Sequence, residues 1–175
     1  MRFRYEFTNR SASAYDMVYA VTDPRMTSIF HDERLERTYV HHATGFDLLA
    51  SETPERLTLP LAQWLPSRYR ASYTWPVPDA RVERPGDGIT YYNKSKGVDA
   101  PFIATLSTDQ AWVVASFSRD PGNVWSNPEL TCQHVDPQVP LPAQGSAVTE
   151  IKILVFQGTL EDARTKVVRQ AALLK

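Results

Sequence analysis

The chain carries one cysteine, Cys132, and only seven glycines among its 175 residues. A single thiol excludes an intramolecular disulfide framework, so the fold has to rest on its apolar core. A chain of this length buries roughly 70% of the surface that its unfolded form exposes, which is enough for a core without cross-links. No apolar run approaches the ~20 residues of a membrane-spanning helix. The opening Met1-Arg2-Phe3-Arg4-Tyr5 alternates as a strand does, where a secretory leader would carry an apolar core. An excess of one charge sign is missing as well, with 19 basic residues against 20 acidic ones. Phosphate-backbone binding needs clustered positive charge, so neither nucleic acid nor membrane is an expected partner. There is no G-x-S-x-G nucleophile motif, no phosphate loop and no G-x-G-x-x-G, and no cofactor is expected. The expectation is a soluble domain, either cytoplasmic, as one cysteine suits, or a fragment of a longer secreted chain.

Proline and aromatic residues are plentiful: 13 prolines, and aromatics at 11% of the chain. Proline breaks helix interiors and central strands, so the connections should be many and sharply bounded. Period-two alternation marks the strands. Phe3, Tyr5 and Phe7 share one face of residues 2–8, a half-buried antiparallel strand. A polar turn at 9–13 leads into a second strand from Tyr15 to Thr22, and the two read as a hairpin. Thr38 to His42 has strand-like content, and 31–37 reads as a helical turn or charged loop. A short strand is expected from Leu57 to Leu61, and residues 62–100 are loop-rich. The strongest hairpin signal joins 101–106 to 111–118. Leu130 to Val135 reads as a further strand, and Ala147 to Phe156 as a long one.

One helix is expected, at about 159–174. Thr159 is its N-cap with Asp162 three residues on, and Leu160, Ala163, Val167, Ala171 and Leu174 fall on one face. The pattern predicts a single domain over 1–175, mainly β: an antiparallel two-sheet β-sandwich with one C-terminal helix and long Pro-rich loops. A jelly roll or small barrel is the alternative.

Residues 123–137 concentrate Trp125, Asn127, Cys132, His134 and Asp136 between two turns. An indole face beside amides and an imidazole suits a sugar ring, with the indole on its C–H face and polar groups on its hydroxyls; otherwise Trp125 packs across a sheet edge and Asn127 starts an Asn-Pro turn. Cys132 and His134, two apart, share a face if extended, and a Cys-His dyad is conceivable. A second cluster, Tyr91, Tyr92, Asn93 and Lys94 with Arg68, suits an anionic sugar or a carboxylate, or else is a strand end with solvated lysine. Trp75 joins this set as an aromatic wall, or packs a loop onto the sheet. His41 and His42 are adjacent and point to opposite faces, so a metal would need one of them with His31 or His134; no metal ligand set with the usual spacing is present.

The run Trp125-Ser126-Asn127-Pro128, the Cys132-x-His134-x-Asp136-Pro137 segment and the Leu141-Pro142-x-x-Gly145 turn precede a long strand and a Gly158-Thr159-Leu160-Glu161-Asp162 helix start. This order resembles the closing half of carbohydrate-associated β-sandwich domains of the galactose-mutarotase-like kind. The opening strand, ending Phe7-Thr8-Asn9-Arg10-Ser11, is similar to the strand and turn with which such domains begin. The resemblance spans about half of the chain and implies a sugar-related role. Mutarotases place a glutamate base near the last strands, where this chain reads Gln133-His134.

Three functions follow as expectations. The first is a module that binds a small-molecule or glycan ligand of carbohydrate-like chemistry. The second is a sugar-active isomerase, epimerase or lyase with His134 as general base. The third is a structural domain that contacts a partner domain or a second copy of itself.

Overall fold

The computed structural model describes residues 1–49, 69–74, 80–83, 90–93, 98–100, 102–119, 121–126 and 131–175. Of the sequence expectations, the strand at 57–61 and the residues Arg68, Trp75, Lys94 and Asn127 lie outside these.

The described residues form twelve strands: β1 (Arg2–Thr8), β2 (Tyr15–Tyr19), β3 (Thr38–His42), β4 (Gly45–Leu48), β5 (Tyr69–Thr74), β6 (Ala80–Glu83), β7 (Thr90–Asn93), β8 (Phe102–Leu106), β9 (Trp112–Ser118), β10 (Pro121–Ser126), β11 (His134–Leu141) and β12 (Ser146–Gln157). One helix, α1 (Leu160–Ala171), follows. The first sheet has the order β1-β12-β9-β8-β3-β4 and the second β2-β11-β10-β5-β7-β6. The mainly β class with two sheets and one C-terminal helix is therefore as the sequence reads. No helix among the described residues is long and apolar enough to cross a membrane.

Several details differ from expectation, first among them that residues 62–100, which read as loop-rich, contain the three strands β5, β6 and β7. Pairing is antiparallel except between β5 and β7, which run parallel, because the chain passes to the edge strand β6 and returns to place β7 beside β5. The strand expected at 130–135 instead runs from His134 to Leu141. Helix α1 ends at Ala171, where Ala172 donates its backbone N–H to Gln170 O. Finally, β1 and β2 do not form a hairpin: β1 pairs with β12 and β2 with β11. The 9–14 loop crosses from one sheet to the other beside the 142–145 loop, which makes the same passage from β11 to β12. Asn9 ties the two together. Its N–H donates to Gly145 O at 2.8 Å and its amide to Pro142 O at 2.9 Å and Ser13 O at 2.8 Å.

The β8–β9 hairpin forms as expected, and its pattern is buried on both faces. Phe102 and Ala104 of β8 and Val113, Ala115 and Phe117 of β9 pack against Ala163, Val167 and Ala171 of α1. The helix therefore covers one face of the first sheet. It starts on a full capping box, with Thr159 and Asp162 exchanging hydrogen bonds. On the other face, Val40 and Ile103 share a core with Val124 of β10 and Val135 of β11.

Polar groups cross that second core in a connected line. Asp32 accepts from the Thr38 hydroxyl at 2.8 Å, Thr38 meets Thr105 at 3.0 Å, Gln133 donates to Thr105 at 2.9 Å, and Ser116 donates to Gln133 at 2.7 Å. All five residues are buried, so each bond replaces a desolvation cost. Elsewhere, Glu150 is 1% exposed and accepts a two-pronged contact from Arg2 at 2.6 and 2.7 Å, plus the Lys175 N–H at 2.9 Å.

The Arg2 guanidinium holds the Glu150 carboxyl below its ordinary value of 4.5. A depressed carboxylate stabilises the fold fully above its ordinary value and loses that contribution as pH falls through the folded value. Urea midpoints are therefore expected to decline with acidification below about pH 4.5, and Glu150→Gln to flatten that part of the decline while lowering stability at neutral pH. Phe117→Ala, which empties the contact between α1 and β9, is expected to cost about 3–5 kcal/mol in urea unfolding.

Candidate functional site

The chain between β10 and β11 and the segment after β2 meet at one end of the second sheet. Arg25 and Cys132 form a β-bridge. Met26 N–H donates to Thr131 O at 3.3 Å, Gln133 N–H to Pro24 O at 3.2 Å, and the Thr131 hydroxyl to Met26 O at 2.9 Å. Thr131 has a positive φ of 44°, a left-handed turn that brings the chain into this pairing. These bonds bring Asp23, remote in sequence, beside Cys132 and His134.

Alternation then decides the faces. Gln133 and Val135 point toward the first sheet, as their hydrogen bonds and core contacts show. Cys132, His134 and Asp136 take the opposite side. His134 pairs with Trp125 across β10 and β11, and their rings stack at 3.7 Å between centroids and 5° between planes. The indole N–H of Trp125 donates to Asp136 Oδ2 at 2.8 Å. His134 is 4% exposed. Its Nδ1 faces Asp136 Oδ1 at 3.5 Å and its Nε2 faces Asp23 Oδ1 at 3.3 Å. Neither Nδ1 nor Asp136 Oδ1 has a hydrogen-bond partner among the described residues. The Asp23 side chain is 40% exposed and forms the outer rim.

Asp23, Cys132 and His134 each present one ligand atom, and these lie within 4.8 Å of one another. The proximity of Cys132 and His134 matches the sequence expectation. Asp23 does not follow from any local spacing; only the pairing of its segment with 131–133 reveals it. This group contains none of the pairings of His41 or His42 with His31 or His134 that the sequence offered. His31 lies against Thr131 and Met26 O, and His41 bonds Asp99.

Register also places the second predicted cluster. Trp125 pairs with Ser72 of β5, Ser72 with Asn93 of β7, and Asn93 with Ala80 of β6. His134, Trp125, Ser72, Asn93 and Ala80 are thus aligned in backbone register across the second sheet. Tyr91 and Tyr92 lie on β7, in register with Arg70 and Ala71 of β5. As a general base, His134 has a carboxylate behind each ring nitrogen and little access to solvent in this arrangement.

No model of a known protein family, no curated protein and no solved structure matches the chain.

Asp136 anchors Trp125 and faces the inner side of His134, so Asp136→Ala is expected to cost about 1–3 kcal/mol, because it removes the acceptor of the part-buried indole N–H. Asp23→Ala, at the exposed rim, is expected to cost less than about 1 kcal/mol. Urea unfolding with chelator present measures both.

Proposed function

We propose that the chain is a β-sandwich ligand-binding module that takes a carbohydrate-like polyol on the face of its second sheet bearing Trp125. The observation that carries this reading is the cross-strand row His134–Trp125–Ser72–Asn93. Adjacent strands lie about 4.8 Å apart, so Trp125 and Asn93, two strands apart, are separated by about 10 Å. That is the scale of one sugar ring or slightly more. An indole offers a C–H-stacking surface, an amide exchanges hydrogen bonds with vicinal hydroxyls, and a serine is the small residue at the position between them. Asp136 holds the indole by its N–H, which reduces the ordering cost on binding.

The sandwich packing has support in the shared core of Val40 and Ile103 with Val124 and Val135, and in the polar line through Gln133. The galactose-mutarotase-like resemblance, read from residue order, points to the same ligand class. The chemistry proposed is binding.

The test is a glycan array followed by calorimetric titration, run with chelator present. At least one neutral sugar is expected to bind, with Trp125→Ala weakening it about tenfold and Asn93→Ala weakening it further. No heat or melting shift with any sugar at millimolar concentration, or binding unchanged in both variants, sinks the proposal.

A further inference from the structure

We propose that Asp23, Cys132 and His134 form a binding site for a divalent zinc-like ion, with Asp136 as the carboxylate that orients His134 from behind. This inference does not rest on the polyol reading; it concerns the opposite end of the same row.

The donor set is one thiolate, one imidazole and one carboxylate, with ligand atoms all within 4.8 Å of one another. Zinc takes such sets in tetrahedral geometry, with bonds of about 2.0–2.3 Å. Tetrahedral edges at those bond lengths run to roughly 3.3–3.7 Å. The Nε2–Oδ1 separation of 3.3 Å between His134 and Asp23 already matches an edge. The remaining gaps close with side-chain rotation of Asp23, whose carboxylate stands at the solvent rim and marks the route of entry. Three protein ligands leave the fourth position to water.

The buried surroundings point to an ion independently of that cluster. The His134 ring is more than nine-tenths buried, and its Nδ1 lacks a hydrogen bond among the described residues. Asp136 Oδ1, at 3.5 Å, is likewise without one. Metal-bound imidazoles donate their far N–H to a carboxylate, which fixes the tautomer and raises ligand basicity. Coordination at Nε2 puts the proton on Nδ1, facing Asp136 Oδ1, and so supplies partners to both orphaned atoms. Asp136 is itself held by the Trp125 indole N–H at 2.8 Å, and the stacked indole excludes water from the ring. Backbone bonds from Met26 to Thr131 and from Gln133 to Pro24 fix the two ligand-bearing segments against each other. Binding converts the Cys132 thiol to a thiolate and releases one proton to solvent; no oxidation or reduction is involved.

Cobalt(II) is the probe, added to the full chain under reducing conditions and then displaced by zinc. One equivalent is expected to bring up a near-ultraviolet thiolate-to-cobalt band together with the visible bands of a four-coordinate ion. Cys132→Ser is expected to abolish the near-ultraviolet band and His134→Ala to abolish binding. Asp136→Asn is expected to weaken binding about 10–100-fold, and Asp23→Asn at least tenfold by the same competition with zinc. If Cys132→Ser or His134→Ala fails to fold by circular dichroism, the wild-type band and the rim variant Asp23→Asn decide. Absence of a thiolate band in the folded wild-type chain, or Asp23→Asn binding as tightly as wild type, overturns the site. Because sugar titrations are run with chelator, failure of the metal site and failure of polyol binding are separate results.

Discussion

The buried amide of Gln133 is the contact on which the rest of the structure turns. It accepts from Ser116 and donates to Thr105, both on the first sheet, while its own segment leads into β11 of the second. An amide held from both ends in a buried setting cannot rotate away without leaving a donor and an acceptor unsatisfied. With Gln133 fixed inward, alternation sends Cys132 and His134 outward. The composition of the outer site is thus set by a hydrogen bond made on the inner side.

The polar line continues from Thr105 through Thr38 to Asp32, whose carboxylate also accepts the Glu36 and Arg37 N–H groups at 3.0 and 2.8 Å. Apolar clusters on either side supply most of the burial energy and are tolerant of small shifts. The polar line is not, because every bond in it has a fixed length and direction and its members are buried. Together they allow a β-rich chain with only moderate alternation in its central strands to hold a single register.

Legibility in the sequence followed burial. β1 and β12 could be read from period-two alternation, β8 and β9 from two apolar runs joined by a polar turn, and α1 from its cap and apolar stripe. β10 and β11 could not. β11 carries Pro137 and Pro140 and breaks register between Val139 and Leu141, features that read as a turn. Its first half is buried throughout, so it shows no alternation. The β1–β2 connection misled for a different reason: local sequence cannot show that a loop is captured by another loop more than a hundred residues away. The same holds for the site. Trp125, Cys132 and His134 stood out as a dense segment, whereas Asp23 ended a strand at an ordinary Asp-Pro turn. Likewise, no local pattern shows that Asn93 is aligned with Trp125 through Ser72.

The paired crossings at 9–14 and 142–145 have a mechanical consequence. Both connections pass from one sheet to the other at the same corner, and Asn9 fastens them to each other through two hydrogen bonds, to Gly145 O and Pro142 O. Separation of the sheets at that corner requires breaking these bonds and parting two chain crossings at once. That corner is therefore the costlier place for the two layers to part.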